Sequence, residues 1–326
     1  INIAREVQSK PSNIINPIWL ENFVKENLDK NSKNWKDLWL EINYHQQDFL
    51  EKEKMWLFLA VNQGSKDRAK MIEMKYNWWK KWEEPIVLIW KWLTYDSWWY
   101  YMKPYPHMNE MWWDMWWAAT VIWIMAWLKS MWIKKNIIWI LWVTENMVDA
   151  NSYKNWDILT AKNWKTVYVW HTDAEWRLVL ADCLTYADEK FSPKMIFDFA
   201  TLTWSCHHSL WEMYTWIFSD NKKLLDQIQK IWEKTNDLCW QLPFDKRVKE
   251  AIKHNQADLT NSWKWSFMWA WTAAAFLSNF IKDSKKWVHC DIAWSWLRET
   301  QKQNYDLPNS FWTWAMISLI FQYLKN

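Results

Sequence analysis

The sequence predicts an α/β fold, a sheet layered with helices, on three observations. Short apolar runs have the length and composition of buried strands: Ile86–Ile89, Ile137–Leu141, Thr166–Val169, Met195–Phe199 and Trp287–Ile292. Stretches of helical pattern lie between them, and that alternation indicates a layered sheet. The ionisable residues that stand out follow the strand-like runs, where open α/β sheets place their sites.

In chain order, residues 1–60 alternate polar helical patterns with short apolar runs, and Pro11 and Pro17 punctuate the entry. Ser12-Asn13 reads as a turn leading into a helix at about residues 17–30. The strand Ile86–Ile89 ends at a loop, Ala118 to Ser130 reads as a helix, and Ile137–Leu141 is the next buried strand. Thr166–Val169 is followed by a loop and a helix from Arg177 to Lys190. No internal repeat or low-complexity linker interrupts the chain, so residues 1–326 are expected to form one domain, with residues 1–30 as a helical lead-in.

Composition narrows the function. The balance of 40 basic against 37 acidic residues argues against a nucleic-acid footprint. Cys183, Cys206, Cys239 and Cys290 lie far apart with no C-x-x-C pair, which reads as reduced thiols in a cytoplasmic setting. No secretory signal is visible, and the chain begins at Ile1. The apolar stretch Ala118–Leu128 is too short to span a bilayer.

The chain has 38 tryptophans and one glycine, Gly64. Average usage puts glycine at about 7 %. The doublets Trp98-Trp99, Trp112-Trp113 and Trp116-Trp117 fall in turn-like or ligand-bearing stretches, where glycine serves because it reaches φ > 0. A gene that reads UGA as glycine, translated as though UGA were tryptophan, gives this pattern. Most tryptophans are therefore expected to stand at glycine positions. The competing reading takes them literally, as a surface for stacking carbohydrate or for a membrane interface.

Lys91 and Asp96 follow the strand ending at Ile89, Lys103 lies seven residues beyond Asp96, and Asp114 sits between two tryptophan doublets. After Val169 comes His171-Thr172-Asp173-Ala174-Glu175-Trp176-Arg177. In an extended segment Asp173 and Glu175 point the same way and converge on one site. Three aspartates and a glutamate near neighbouring strand ends repel one another unless hard cations with oxygen ligands are present. Two metals sharing carboxylates are a recurrent hydrolase arrangement. Taken singly, an Asp-x-Glu is usually a solvated loop, a lysine at a strand end a surface residue, and Asp114 a helix cap. Only their co-occurrence points to a metal-dependent hydrolase.

With tryptophan read as glycine, residues 90–99 become GKGLTYDSGG, and His171–Leu178 become HTDAEGRL, running on into Val179-Leu180-Ala181-Asp182. These closely resemble the leucyl (cytosol) aminopeptidase family of dizinc exopeptidases, whose signature is NTDAEGR followed by LxLAD. Lys103-Pro104, Asp114–Ala119, Thr144–Met147, Ala200–Trp204, Ala257–Asn261 and Trp287–Ala293 also match, in order, from about residue 4 to the C-terminus. Trp287 is expected to be a genuine tryptophan, because the family often has one there.

The resemblance implies a three-layer α/β/α sandwich around a mixed, mostly parallel sheet. It implies two divalent ions, Zn2+ or Mn2+, one held by Lys91, Asp96, Asp114 and Glu175 and the other by Asp96, Asp173 and Glu175. Lys103 then polarises the scissile carbonyl, and Arg177 holds a bicarbonate that acts as general base. Ala174, Thr201, Leu202 and His171 lie near the pocket for the substrate's first side chain. His171 departs from the family, standing where the signature has asparagine. The implied activity is release of N-terminal residues from peptide substrates, with a leucine-like preference, by a cytoplasmic homo-hexamer. A second reading keeps the family but makes the chain a catalytically weak or moonlighting member, a binding or regulatory protein acting on DNA. The near-neutral charge balance argues against nucleic acid as a partner, and no feature points to a membrane.

Overall fold

The β-branched and aliphatic runs form the centre of one large sheet. The structure, a computed structural model, describes residues 10–11, 13–29, 39–77, 80, 82–97, 124–200, 202–203, 214–235, 238–262, 268–292 and 322–324, apart from the side chains of Lys91 and Thr235. In chain order the main elements are α1 (Pro17–Leu28), β1 (Leu40–His45), α2 (Gln47–Lys52), α3 (Trp56–Asn62), β2 (Lys70–Asn77), β3 (Ile86–Asp96) and β4 (Asn136–Asn146). They continue with β5 (Ile158–Thr160), β6 (Thr166–Tyr168), α4 (Glu175–Phe191), β7 (Met195–Ala200), β8 (Thr215–Phe218) and α5 (Lys222–Thr235). The last are β9 (Cys239–Gln241), α6 (Lys246–Glu250), β10 (Leu259–Thr260), α7 (Trp269–Leu277) and β11 (Trp287–Asp291).

The eight-stranded sheet has the order β1-β2-β4-β3-β7-β11-β8-β9, and β10-β6-β5 form a small second sheet. The central strands β4, β3, β7 and β11 are mutually parallel, whereas β1, β2 and β8 join the sheet antiparallel. Alternation along β3 fills both faces. Ile86, Leu88, Trp90 and Trp92 pack in one layer with α1 and α5, and Val87, Ile89 and Leu93 pack in the other with α2, α3, α4 and α7. The three-layer sandwich around a mixed, mostly parallel sheet is the expected one.

The expected entry helix opens at Asn16, whose side chain accepts from the amides of Ile18 and Trp19, with Pro17 in its first turn. The expected strand Thr166–Val169 forms β6, which pairs with β5 and β10 in the small sheet. Two local readings need correction. The strand expected to stop at Ile89 runs on to Asp96. The segment carrying Asp173 and Glu175 is a turn entering α4, not an extended stretch. Within the expected helix Ala118–Ser130, residues 124–127 are helical and 118–123 lie outside the described residues.

Among the described non-glycine residues, six have positive φ, and four of these are tryptophans: Trp39, Trp132, Trp156 and Trp164, at 57°, 53°, 78° and 69°. A bulky residue enters that region only under strain, and glycine enters it freely. Trp92, Trp139, Trp142 and Trp216 bury an indole N–H that meets no acceptor among the described residues, a costly condition. Trp287 is different, because its Nε1–H donates to Asp198 at 2.5 Å. The doublets at 98–99, 112–113 and 116–117 lie outside the described residues. At Gly64 a Cβ would fall 2.1 Å from the Met147 carbonyl oxygen, so this position tolerates glycine alone.

Candidate metal centre

Because β3, β4, β7 and β11 run parallel, their carboxyl ends share one edge of the sheet, bringing Asp96, Asn146, Ala200 and Asp291 to the same side. Leu93 lies opposite Thr144 and Asp96 opposite Asn146, so β3 carries one residue more than β4 between these pairs. Such a bulge inverts the alternation that follows it. Asp96 thereby returns to the face of Ile89 and Leu93, the face that α4 covers. Asn146 Nδ2 donates to Asp96 Oδ1 at 3.0 Å and fixes the carboxylate.

The second half of the site comes from the turn between β6 and α4. Glu175 is the first residue of α4 and is fully buried; a carboxylate there meets the positive end of the helix dipole. The Asp173 amide donates to His171 Nδ1 at 3.1 Å, and Tyr153 Oη donates to the Thr172 carbonyl at 2.7 Å. Asp96, Asp173 and Glu175 each present a carboxylate oxygen within 4.8 Å of the others. Two of the three are almost wholly buried, Asp96 being 1 % exposed and Glu175 0 %. Oxygen donors that converge out of water fit a hard divalent cation.

The surroundings carry the imprint of this negative cluster. Burial raises the Tyr153 phenol well above its ordinary range, and Glu175, Asp96 and Asp173 push it further the same way. Burial presses the Arg177 guanidinium down to about 10, while Glu175, Asp291 and Asp173 hold it up, so it stays cationic at neutral pH. Arg177 Nη1 donates to the Asn261 carbonyl at 2.8 Å. Burial, assisted by Arg177, lowers His171 to about 4 and keeps its ring neutral, which suits an Nδ1 that accepts from Asp173. Across the edge, Asp291 receives the Leu202 amide at 3.0 Å and the Thr203 hydroxyl at 2.7 Å, fixing the loop after β7.

Of the expected metal ligands, the structure gathers Asp96, Asp173 and Glu175. Lys91 lies on β3 upstream of the bulge, with its side chain outside the described residues, as are the whole of Asp114, Lys103 and Thr201. Arg177 stands beside the cluster as a charged, buried cation. His171 and Ala174 lie in the ligand-bearing turn, and Leu202 is held opposite by Asp291. Sequence reasoning gave no separate role to Asn146, Asn261, Asp291 or Tyr153. The first three belong to matched motifs, which was the only available signal, and Tyr153 had none. Cys183, Cys239 and Cys290 are buried, and Cys206, His207 and His208 lie outside the described residues. His289 is wholly buried with Nδ1 2.6 Å from Asp198. Among the described residues no helix is long and apolar enough to cross a membrane.

Fold and site together define an α/β protein with a cluster of carboxylates, able to hold a metal ion, at the carboxyl edge of its sheet. The sequence matches the cytosol aminopeptidase family, catalytic domain, over residues 2–316, and the chain belongs to that family. It is 37 % identical over 326 residues to a probable cytosol aminopeptidase of Histophilus somni (strain 129Pt), covering 99 % of this chain and 62 % of that protein. It is also 37 % identical over 329 residues to the cytosol aminopeptidase of Haemophilus influenzae (strain ATCC 51907), covering all of this chain and 63 % of that protein. A probable cytosol aminopeptidase of Thioalkalivibrio sulfidiphilus is 33 % identical over 325 residues, 99 % of this chain and 62 % of that protein. The chain thus spans less than two thirds of the length of these relatives.

Proposed function

We propose that this chain is a metal-dependent aminopeptidase that releases N-terminal residues, with a leucine-like preference, from peptides. The convergence of Asp96, Asp173 and Glu175 carries the reading. Lys91 and Asp114 complete the ligand set in this proposal. Two divalent ions, Zn2+ or Mn2+, when bound there, make water nucleophilic near neutral pH and draw charge from a carbonyl.

The chain's own residues supply the rest. Asn146 holds the Asp96 carboxylate in one orientation, so that less ordering is needed when a cation arrives. Arg177, buried and cationic, would hold a small anion such as bicarbonate, which would supply a general base there. Lys103 is assigned to the carbonyl oxygen, where negative charge develops. His171, Ala174, Thr201 and Leu202 are assigned to the pocket for the first side chain, and Asp291 holds Leu202 and Thr203 in place. A homo-hexamer in the cytoplasm accompanies this reading through the family resemblance. No observation among the described residues favours a binding or DNA-regulatory role.

The test is hydrolysis of leucine amide and of a leucyl peptide, each compared with its N-acetylated form. The expected result is release of leucine from the free-amine substrates alone, abolished by a chelator and restored by Zn2+ or Mn2+. Equal cleavage of blocked and free substrates overturns the assignment.

A further inference from the structure

The turn that presents Asp173 and Glu175 is tied to a residue from a distant segment. Asn261 follows β10 and is fully buried. Its amide donates to the Tyr168 carbonyl at 3.0 Å, extending the β10–β6 pairing to the end of β6. Its side-chain Oδ1 accepts from the amides of Trp170, at 2.8 Å, and His171, at 3.2 Å. Its Nδ2 donates to the carbonyls of His171, at 2.7 Å, and Ala174, at 3.4 Å. Its own carbonyl takes Arg177 Nη1 at 2.8 Å.

One side chain therefore bridges the beginning and the end of the turn, and the same residue's backbone holds the arginine one helical step further on. This use of donors and acceptors together is specific to an amide. A carboxylate offers no donor and a lysine no acceptor. Asn155 Nδ2 on the Trp170 carbonyl, at 3.1 Å, and Tyr153 on Thr172 touch the turn as well. Neither spans it.

We propose that Asn261 is a positioning residue for the metal centre, setting Asp173, Glu175 and Arg177 relative to one another without touching metal or substrate. This rests on the metallo-aminopeptidase reading of the site. Partners that orient ligand-bearing groups typically govern metal affinity by about 10–100-fold. Asn261→Asp keeps the acceptor for the Trp170 and His171 amides and removes the donor to the two carbonyls, whereas Asn261→Ala removes all four side-chain hydrogen bonds. A control on α4, the helix that carries Glu175 and Arg177, is Thr185→Ala, which deletes the buried hydrogen bond from Thr185 Oγ1 to the Phe280 carbonyl, away from the turn.

The experiment measures Mn2+ affinity by calorimetry and amide exchange at Trp170 and His171 by mass spectrometry. Both Asn261 variants are expected to bind Mn2+ at least tenfold more weakly, with Thr185→Ala within about threefold of wild type. In Asn261→Ala the two amides are expected to exchange at least tenfold faster. Asn261→Asp supplies the affinity result if the alanine variant does not fold. Binding by the Asn261 variants within threefold of wild type, or an equal loss in Thr185→Ala, overturns the proposal. Wild-type protein that binds no Mn2+ refutes the metal reading instead. The exchange measurement then still decides whether Asn261 holds the turn, and unchanged exchange overturns that role.

Discussion

Replacing Asp173 by Asn should stabilise the metal-free protein while weakening its response to metal. The three carboxylates present oxygens within 4.8 Å of one another, so each charged pair repels by about 332/(20 × 4.8), or ~3.5 kcal/mol, at an effective dielectric of 20. Asp173→Asn removes two such pairs, a gross relief of about 7 kcal/mol. Salt, water at the partly exposed Asp173 and the neighbouring Arg177 charge reduce this to a net gain of about 1–3 kcal/mol. At about 2–4 °C per kcal/mol for a domain of this class, metal-free Asp173→Asn should melt several degrees above metal-free wild type. Mn2+ at a hundred times its dissociation constant should then raise wild type by about 2.7 kcal/mol and the variant by much less. Thermal unfolding followed by circular dichroism, with and without chelator, measures both effects. A metal-free variant that melts below wild type, or an equal metal-induced rise in the two proteins, refutes the idea of a strained carboxylate cluster relieved by a cation.

Other predictions concern the fold and the residue identities. Protein produced in its native code should have an intact mass well below 40.5 kDa, with glycine at 39, 132, 156 and 164 and tryptophan retained at 287; peptide mapping that finds tryptophan at all five positions contradicts the codon reading. Glu73 is buried and accepts from Tyr186 at 2.8 Å, with Lys75 at 2.8 Å and Lys190 at 3.7 Å. Glu73→Ala removes the buried acceptor that Tyr186 and Lys75 share, while Lys75 keeps Glu41 at 3.4 Å, and should cost about 1–3 kcal/mol in urea unfolding; no measurable loss contradicts it. Burial lifts the Asp182 carboxyl from 3.8 to about 7, despite the amides of Lys162 and Phe58 that favour its charged form. A raised folded-state value contributes stability that is full below about pH 4 and is lost as pH rises through 7, so Asp182→Asn should flatten the stability profile over that window, and an unchanged slope argues against it. His171→Asn should retain metal binding, since an asparagine oxygen can accept the Asp173 amide as the ring nitrogen does, whereas His171→Phe should weaken it; equal binding by both variants assigns the ring no part in the turn.

The central strands were legible because β3, β4, β7 and β11 are buried on both faces and so read as continuous apolar runs. The edge strands were not. In β1, Glu41, Asn43 and His45 alternate with apolar residues, and Glu73 and Lys75 interrupt β2, where a buried ion-pair network replaces apolar contact. The extension of β3 to Asp96 was hidden by its bulge, a pairing feature with no signature in one strand's own residues. At the site, Asp173 and Glu175 were identified by type and spacing, but for a local geometry the turn does not have. Their convergence with Asp96 depends on strand order, which no local pattern encodes. Asn261 could not be singled out at all, because its role arises from a contact 90 residues away in sequence.

Anomalous diffraction from crystals of the protein grown with Mn2+ bears most directly on the metal centre. The account predicts two Mn2+ peaks roughly 3.5–4 Å apart, with oxygens of Asp96, Asp173 and Glu175 as ligands. Active crystals in which those three carboxylates bind no metal would contradict it.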